Sequence, residues 1–415
     1  MTADDRSWVE GAQGSGFGLA HLPYGVVSRG EGPPRVAVRI GAHALDLAEV
    51  ARAGLFAEAV SDPSGLFAVD RLNPFMAAGA ATWTAVRERL SALLGPGADP
   101  RPALRDALVP LERVRAHLPF AVADYVDFYS SLEHATNVGR LFRPDADPLL
   151  PNWRHLPVGY HGRAGTVVVS GTPVRRPNGQ RQTPQGVAFG ASERLDIELE
   201  VGFVTGPPTV LGEPLPIAAV GEHVFGLALL NDWSARDLQA WEYQPLGPFL
   251  GKSFATSLAA WVTPLSALAA ARVDPRHQAP PVLPYLRTHE PWAFDLSLEV
   301  GLRSAAMTEA DVVSRGGFAG MYWTVAQQIA HATGNGAALR TGDLFASGTV
   351  SGPARGSEGS LLELTMGGRE PFTLSDGTPR AFLADGDEVT LRGRSARGPL
   401  ITLAEVSGTV VPAPG

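Results

Sequence analysis

The sequence predicts a mainly β fold in two parts, and three observations lead there. First, 47 glycines and 35 prolines in 415 residues point to many short strands joined by tight turns. Second, apolar segments of strand length, alternating or continuous, recur along the chain, most densely in its later part. Third, the chain is longer than one hydrophobic core usually serves, so two domains are expected. Hydrophobic residues at 45% and charged residues at 18% supply packed cores and exclude the composition of a disordered chain.

In chain order, Arg35 to Leu47 alternates apolar with other residues and predicts a half-buried hairpin. Trp83, Val86, Leu90 and Leu93 recur at helical spacing, and Gly95-Pro96-Gly97 would stop that helix and begin a connector running to Pro102. A second short helix is expected from Leu104 to His117. The domain boundary is placed just after it, dividing residues 1–118 from 119–415. Strands are expected at Gly165–Ser170, Leu195–Val204, His223–Leu230, Trp292–Gly301, Gly359–Met366 and Asp387–Leu391. One helix is expected at Met321–His331, where Tyr322, Val325, Ala326 and Ile329 share a face and Gly334 lies just past the end. Pro275 to Pro284 reads as an extended surface loop, and no internal repeat is visible.

Charge and motif content narrow the function. A net charge of -8 and a sequence with no basic run argue against a nucleic-acid partner. The first residues lack both a cationic start and an apolar stretch, and the longest apolar run, Val224 to Leu230, is too short to span a bilayer. A cytoplasmic protein with no membrane partner is expected. With no cysteine, any metal must sit on oxygen or imidazole. There is no phosphate-binding Gly-x-x-x-x-Gly-Lys-Ser/Thr loop, no Gly-x-Ser-x-Gly elbow and no His-Glu-x-x-His helix, and Gly14, Gly16 and Gly18 open no strand–helix unit.

Acids supply the positive signal. Asp196, Glu198 and Glu200 alternate with Leu195, Ile197, Leu199 and Val201, so a strand there presents three acids on one face. Such neighbours repel, by about 4 kcal/mol for two unit charges ~4 Å apart at an effective dielectric near 20, and a bound cation would relieve them. The same pattern also fits the solvent face of an amphipathic strand. Asp232, at the end of the buried run from Val224, favours the cation, and oxygen donors suit Ca²⁺ or Mg²⁺.

Three further residues stand out. His134 lies in the polar, aromatic stretch Asp124 to Asn137, where it reads either as a satisfied structural histidine or as a catalytic base. Lys252 sits among apolar and turn residues in Gly247 to Phe254. Burial would lower its pKa and make it a donor or anion binder, while a lysine lying over an apolar surface fits equally. Glu363, in Leu361-Leu362-Glu363-Leu364, is either a buried strand acid that needs a partner or an edge-strand glutamate.

Several segments resemble the fumarylacetoacetase family. They are Asp127-Phe128-Tyr129-Ser130-Ser131, His134 to Gly139, Leu150-Pro151-Asn152-Trp153, Leu156 to Arg163, Asn231 to Asp237, Gln239, Trp241-Glu242-Tyr243, Pro245 to Phe254 and Ala346-Ser347-Gly348-Thr349. Leu22 to Val26 extends the resemblance into the N-terminal part. It implies a small SH3-like β domain, a larger C-terminal catalytic β-roll domain and a homodimer. Implied metal ligands are Asp127, Glu198, Glu200 and Asp232, with Lys252 and Thr256 beside a second, Mg²⁺-type position; Asp196 is not among them. His134 would be the base, oriented by Glu363, with Arg236, Gln239 and Lys252 holding an oxyanion. Tyr129, Arg143, Tyr160, Gln239, Tyr243 and Thr349 would contact substrate.

The implied reaction cleaves the carbon–carbon bond of 4-fumarylacetoacetate, a diketo acid, to fumarate and acetoacetate, the last step of tyrosine and phenylalanine breakdown. Alternatives are an acylpyruvate hydrolase or related keto-acid enzyme of the same superfamily, and a binding protein that has lost its chemistry. Leu132-Glu133 departs from the more basic, polar pair of animal family members, so Glu133 is expected to alter the charge near His134.

Overall fold

The computed structural model describes residues 6–98 and 101–414; residues 99 and 100 of the expected connector lie outside them. The expected hairpin forms as β2 (Arg35–Ile40) and β3 (His43–Asp46), with β1 (Tyr24–Arg29) on its other side. The helix expected around Trp83 is α1 (Gly79–Leu94), which turns Val86, Leu90 and Leu94 into the core and ends at Gly95. The second helix is corrected. It stops at Ala107 and gives way to β4 (Leu108–Pro110) and β5 (Val114–His117), which pair with β3 and β1. There Val109 has a fixed place beside Ala44, a tertiary contact that overrides helix propensity.

The later part supplies β6 (Tyr125–Phe128), α2 (Leu132–Phe142), β7 (Gly159–His161), β8 (Val167–Val169), β9 (Leu199–Thr205) and β10 (Val224–Asp232). It continues with α3 (Arg236–Glu242), α4 (Leu250–Ser253), β11 (Thr256–Leu258), β12 (Trp261–Pro264) and β13 (Leu296–Arg303). Last come α5 (Val325–Ala332), β14 (Leu344–Ala346), α6 (Leu361–Leu364), β15 (Glu388–Ser395) and β16 (Thr402–Val411). Thirteen strands form one sheet whose main path is β4-β3-β2-β1-β12-β10-β9-β14-β6-β7, with β5, β8 and β11 off it. A second sheet of five strands is built around β13, β15 and β16.

Four sequence expectations change. The strand expected at Leu195–Val204 is interrupted: Leu195–Asp196 pairs with Ser234–Ala235, and β9 starts only at Leu199. The strand expected at Gly359–Met366 is instead a short helix, α6, because Ser360 caps it by accepting from the amide of Glu363. The strand expected from His223 starts one residue later, since His223 closes a helical turn. The helix expected at Met321 starts at Val325, where Thr324 and Gln327 form a capping box.

β9 and β10 are buried along their whole length, on both faces, which is why β10 reads as a nearly continuous apolar run. One core continues from the N-terminal strands into both sheets. Phe225 at the start of β10 meets Trp83, Phe75 and Tyr24 at ring separations of 5.3, 5.6 and 5.8 Å. No helix among the described residues is long and apolar enough to cross a membrane.

A buried histidine fastens the N-terminal segment to this sheet. The ring nitrogens of His21 lie 2.9 Å from the carbonyl of Gly16 and 2.9 Å from Thr263 Oγ1 on β12. Burial holds its pKa down to about 3, against a smaller opposing effect of the Gly16 carbonyl. The unfolded chain therefore binds the proton first, and the stability this neutral ring contributes is present above pH 6.5 and lost as the pH falls toward 3. Between pH 6.5 and 5 the loss is about 2 kcal/mol. Urea unfolding at the two pH values should show that loss in the parent and a smaller one in His21→Asn; equal losses would remove His21 as the cause.

Candidate active site

Strand order gathers the acids. β10, β9, β14 and β6 are consecutive, and the register sets Leu199 beside Asn231, Gly202 beside Ala346 and Ala346 beside Asp127. Asp232 ends β10, Glu200 lies in β9, Asp127 lies in β6, and Glu198 immediately precedes β9. All four are buried, and one oxygen from each falls within 4.8 Å of the others. The solvent-face reading of the acidic strand is thereby overturned.

Some of these oxygens have protein partners and some do not. Asp232 accepts from Thr256 Oγ1 at 3.0 Å, and Tyr125 and Tyr160 hydroxyls approach it at 3.4 Å. Glu200 accepts from the Gly348 amide at 3.0 Å. That residue must be glycine: its φ is +77°, and a Cβ would lie 2.2 Å from the Phe128 carbonyl. Asp127 Oδ1 and Glu200 Oε1 are buried with no hydrogen-bond partner. Burial, reinforced by the neighbouring carboxylates, pushes the pKa of both groups well above the usual carboxylate range. Two orphaned oxygens in a four-carboxylate cage fit a divalent metal ion.

Two cations offset part of this charge. Lys252 Nζ bridges Glu198 and Asp232, 2.6 Å from Asp232 Oδ2. The sequence expectation of a lowered lysine pKa is reversed. Burial works in that direction, but Asp232 and Glu198 outweigh it and hold the ammonium above the usual lysine range. Gly251 lets α4 come this close, since a Cβ there would meet the Gln239 amide at 2.8 Å. Arg236 donates to Asp196 at 2.7 Å, lies 2.7 Å from Glu198 and donates to Gln239 at 3.1 Å, leaving its Nη2 buried and unpartnered.

Asp196 has a structural task. Besides Arg236 it accepts from the amides of Ile197, Leu361 and Leu362 at 2.7, 2.7 and 3.0 Å. It thus joins Arg236 to the N-terminus of α6, the helix that carries Glu363.

Glu363 in turn fixes His134. Its carboxylate lies 2.6 Å from His134 Nδ1 and accepts from Asn137, Ser351 and Ser360 at 3.0, 2.9 and 2.8 Å. Burial opposes its ionisation, yet His134 and these donors hold its pKa below the usual range. With Nδ1–H committed to an anion, Nε2 is the basic nitrogen of His134. The Tyr129 ring stands edge-on to the imidazole, 5.2 Å away. Glu133 is tied to Arg276 at 2.9 Å, so the expected change of charge beside His134 is offset by an ion pair.

A cavity of about 440 Å³ joins these groups. Its wall takes in Asp127, Glu198, Lys252, His134, Tyr129, Arg143, Tyr160, Arg236, Gln239, Tyr243 and Thr349, with an apolar side from Phe142, Leu149 and Trp153. Arg143 Nη2 donates to the Pro148 carbonyl at 2.7 Å while its Nε is unpartnered, as is the buried Thr349 hydroxyl.

Comparison with known sequences decides the relationship. Residues 20–119 match the sequence model of the fumarylacetoacetase N-terminal domain, and residues 124–411 that of the fumarylacetoacetate hydrolase C-terminal domain. The chain belongs to the fumarylacetoacetate hydrolase family. It is 46% identical to human fumarylacetoacetase over 98% of this chain and 99% of that one. Against fumarylacetoacetase of Arabidopsis thaliana it is 42% identical over 99% of both. A solved fumarylacetoacetate hydrolase from psychrophilic Exiguobacterium antarcticum shares the fold, with a TM-score of 0.54 and 15% identity over 94% of this chain and 99% of that chain.

Every residue that the sequence associated with this family's site is in or beside the cavity, with Glu200, Asp232, Thr256 and Glu363 lying behind its wall. Sequence reading missed the supports: Asn137, Ser351 and Ser360 around Glu363, and Asp196 behind Arg236. One signal was present, because Ser360-Leu361-Leu362-Glu363 has the Ser-x-x-Glu spacing of a helix start. Asp196→Ala would leave a buried guanidinium and three amides without their acceptor, so unfolding free energy should fall by about 3–5 kcal/mol in urea titrations. A drop below about 1 kcal/mol would mean that Asp196 does not hold Arg236 and α6 together.

Proposed function

We propose that this chain hydrolyses 4-fumarylacetoacetate to fumarate and acetoacetate, as its relatives' name describes. One observation carries the reading: the His134–Glu363 pair and the four-carboxylate cage open into one cavity with unpartnered cationic and hydroxyl groups. Asp127, Glu198, Glu200 and Asp232 would hold Ca²⁺ or Mg²⁺, and Lys252 and Thr256 would border a second, Mg²⁺-type position. When bound, such an ion supplies Lewis-acid stabilisation of negative charge on substrate oxygens.

His134 Nε2 takes a proton from water, and Glu363 offsets the charge of the resulting imidazolium. The hydroxide oxygen adds to the carbonyl carbon of the fumaryl group, the ketone conjugated with the carbon–carbon double bond. Arg236 Nη2, buried and free of protein partners, is the best-placed donor to the oxyanion; Gln239, whose carbonyl oxygen accepts from Arg236, offers its amide N–H, and Lys252 adds positive charge. When the oxyanion collapses, the carbon–carbon bond breaks, its electron pair leaves with acetoacetate, and a proton on that carbon completes the product. Arg143, with Tyr129 and Tyr160, grips a substrate carboxylate, while Tyr243 and Thr349 complete the wall.

The reading includes a division near residues 118/119, a cytoplasmic location and a homodimer. Supporting the last, exposed Leu246 lines the cavity, Phe249 nearby is exposed, and Trp241 donates to Gln180 of the hairpin Asn178–Ala191 that exposes Phe189.

Absorbance loss of fumarylacetoacetate should be abolished in metal-stripped protein and restored by Ca²⁺ or Mg²⁺. Turnover of acylpyruvates but not of fumarylacetoacetate would overturn the substrate. His134→Ala should lower turnover by roughly 10³-fold at unchanged metal affinity in the folded protein, and retained activity would exclude His134 as the base. In calorimetry, Glu200→Ala should weaken the metal and leave the fold intact; an unchanged affinity would remove Glu200 from the ligand set.

A further inference from the structure

A second cavity lies away from the chemistry, in the cleft between α1 and the start of β10. It measures about 680 Å³, within the range of small-molecule sites. Trp83, Phe225 and Tyr24 line its aromatic side, and Arg87 and Arg272 are its cations.

Neither arginine meets an acid. Arg87 is held by carbonyls, including that of His21 at 2.7 Å, and Arg272 lies over the Trp292 ring, 4.3 Å from its centre. No carboxylate among the described residues forms an ion pair with either. Burial depresses both guanidinium pKa values, against smaller opposing effects of Tyr24 on Arg87 and Glu290 on Arg272, so their charge is poorly screened. The only acid in the lining is Glu88, exposed on α1. The Tyr24 hydroxyl is buried and has no hydrogen-bond partner. That donor, two unpaired guanidiniums against one rim carboxylate, and an aromatic wall together ask for one negative charge on an apolar body.

From this we infer that the cleft between α1 and β10 is a second ligand site, for a monocarboxylate with an aromatic or other apolar body. The carboxylate sits between Arg272 and Arg87 and accepts from Tyr24, and the body lies against Trp83 and Phe225. Since this cleft joins the N-terminal helix to the foot of the strand that ends in Asp232, occupancy would also tighten the contact between the two parts of the chain.

Phenylacetate is a suitable probe, with phenylacetamide as its neutral match, titrated calorimetrically into the full chain. Saturable binding of the anion is expected, with a Kd of roughly a millimolar or below, and the amide should bind at least about tenfold more weakly. Arg272→Gln should weaken phenylacetate about tenfold, and Tyr24→Phe about threefold without lowering the melting temperature, because that hydroxyl has no partner to lose. Arg143→Gln, in the other cavity, should leave the titration unchanged. Equal binding of the amide, absence of saturable binding, or loss on Arg143→Gln but not on Arg272→Gln would each overturn the site.

Discussion

Burial of like charge is the constraint on which the rest of the structure depends. Asp127, Glu198, Glu200, Asp232 and Asp196 lie together at the end of a sheet, opposed among the described residues by two buried cations, Lys252 and Arg236. Pairing accounts for Asp196, Glu198 and Asp232. Asp127 and Glu200 are left with buried oxygens that no protein donor reaches. Desolvating an unpaired carboxylate is far more costly than a hydrogen bond can offset, so the arrangement is stable as built only if those two acids are protonated or share a cation. A dication removes most of the remaining imbalance. The buried acids in this sense fit a divalent ion, the kind of ligand set that the family resemblance implied.

The same constraint organises the proposed catalytic pair. Glu363 is a buried carboxylate too, but it is fully served, by His134, Asn137, Ser351 and Ser360. That saturation keeps it ionised and aimed, and it dictates which imidazole nitrogen faces the cavity. Asp196 extends the logic across the site, since it takes Arg236 on one side and the N-terminus of α6 on the other. Arg236, the proposed oxyanion donor, and α6, which carries the proposed support of the base, are therefore both held by one carboxylate.

How much of this the sequence disclosed depends on what each residue interacts with. The hairpin at Arg35–Leu47 and the buried run at Val224 were legible because period and apolarity are local properties. The acids at 196, 198 and 200 looked like one face of one strand, and the structure separates them: the chain leaves strand geometry after Asp196, whose partners Arg236 and Leu361 are far away in sequence. Leu361-Leu362-Glu363-Leu364 looked like a strand because its apolar residues are buried, yet a serine cap makes it a helical turn. Lys252 looked like a donor or anion binder with a lowered pKa because its apolar setting is visible in sequence and the two carboxylates that reverse the shift are not. The site residues themselves came from motif resemblance, and the donors that hold them in place lie in α2 and in the Ser351–Ser360 stretch, where no local pattern marks them as functional.

The place of the N-terminal part is set by the sheet. β1 pairs with β12, β12 with β10, and β10 ends in Asp232. At the other end of β10, Phe225 is enclosed by Tyr24, Phe75 and Trp83, all from the first hundred residues. An N-terminal region joined only by a linker would leave the position of Asp232 untouched if it shifted. Here the strand that carries Asp232, a proposed metal ligand, is hydrogen-bonded along its edge, and packed at its foot, by elements that depend on that region. The tolerance of a metal cage is a few tenths of an ångström, so the N-terminal strands and α1 act as part of the frame of the site, even though none of their side chains reaches it.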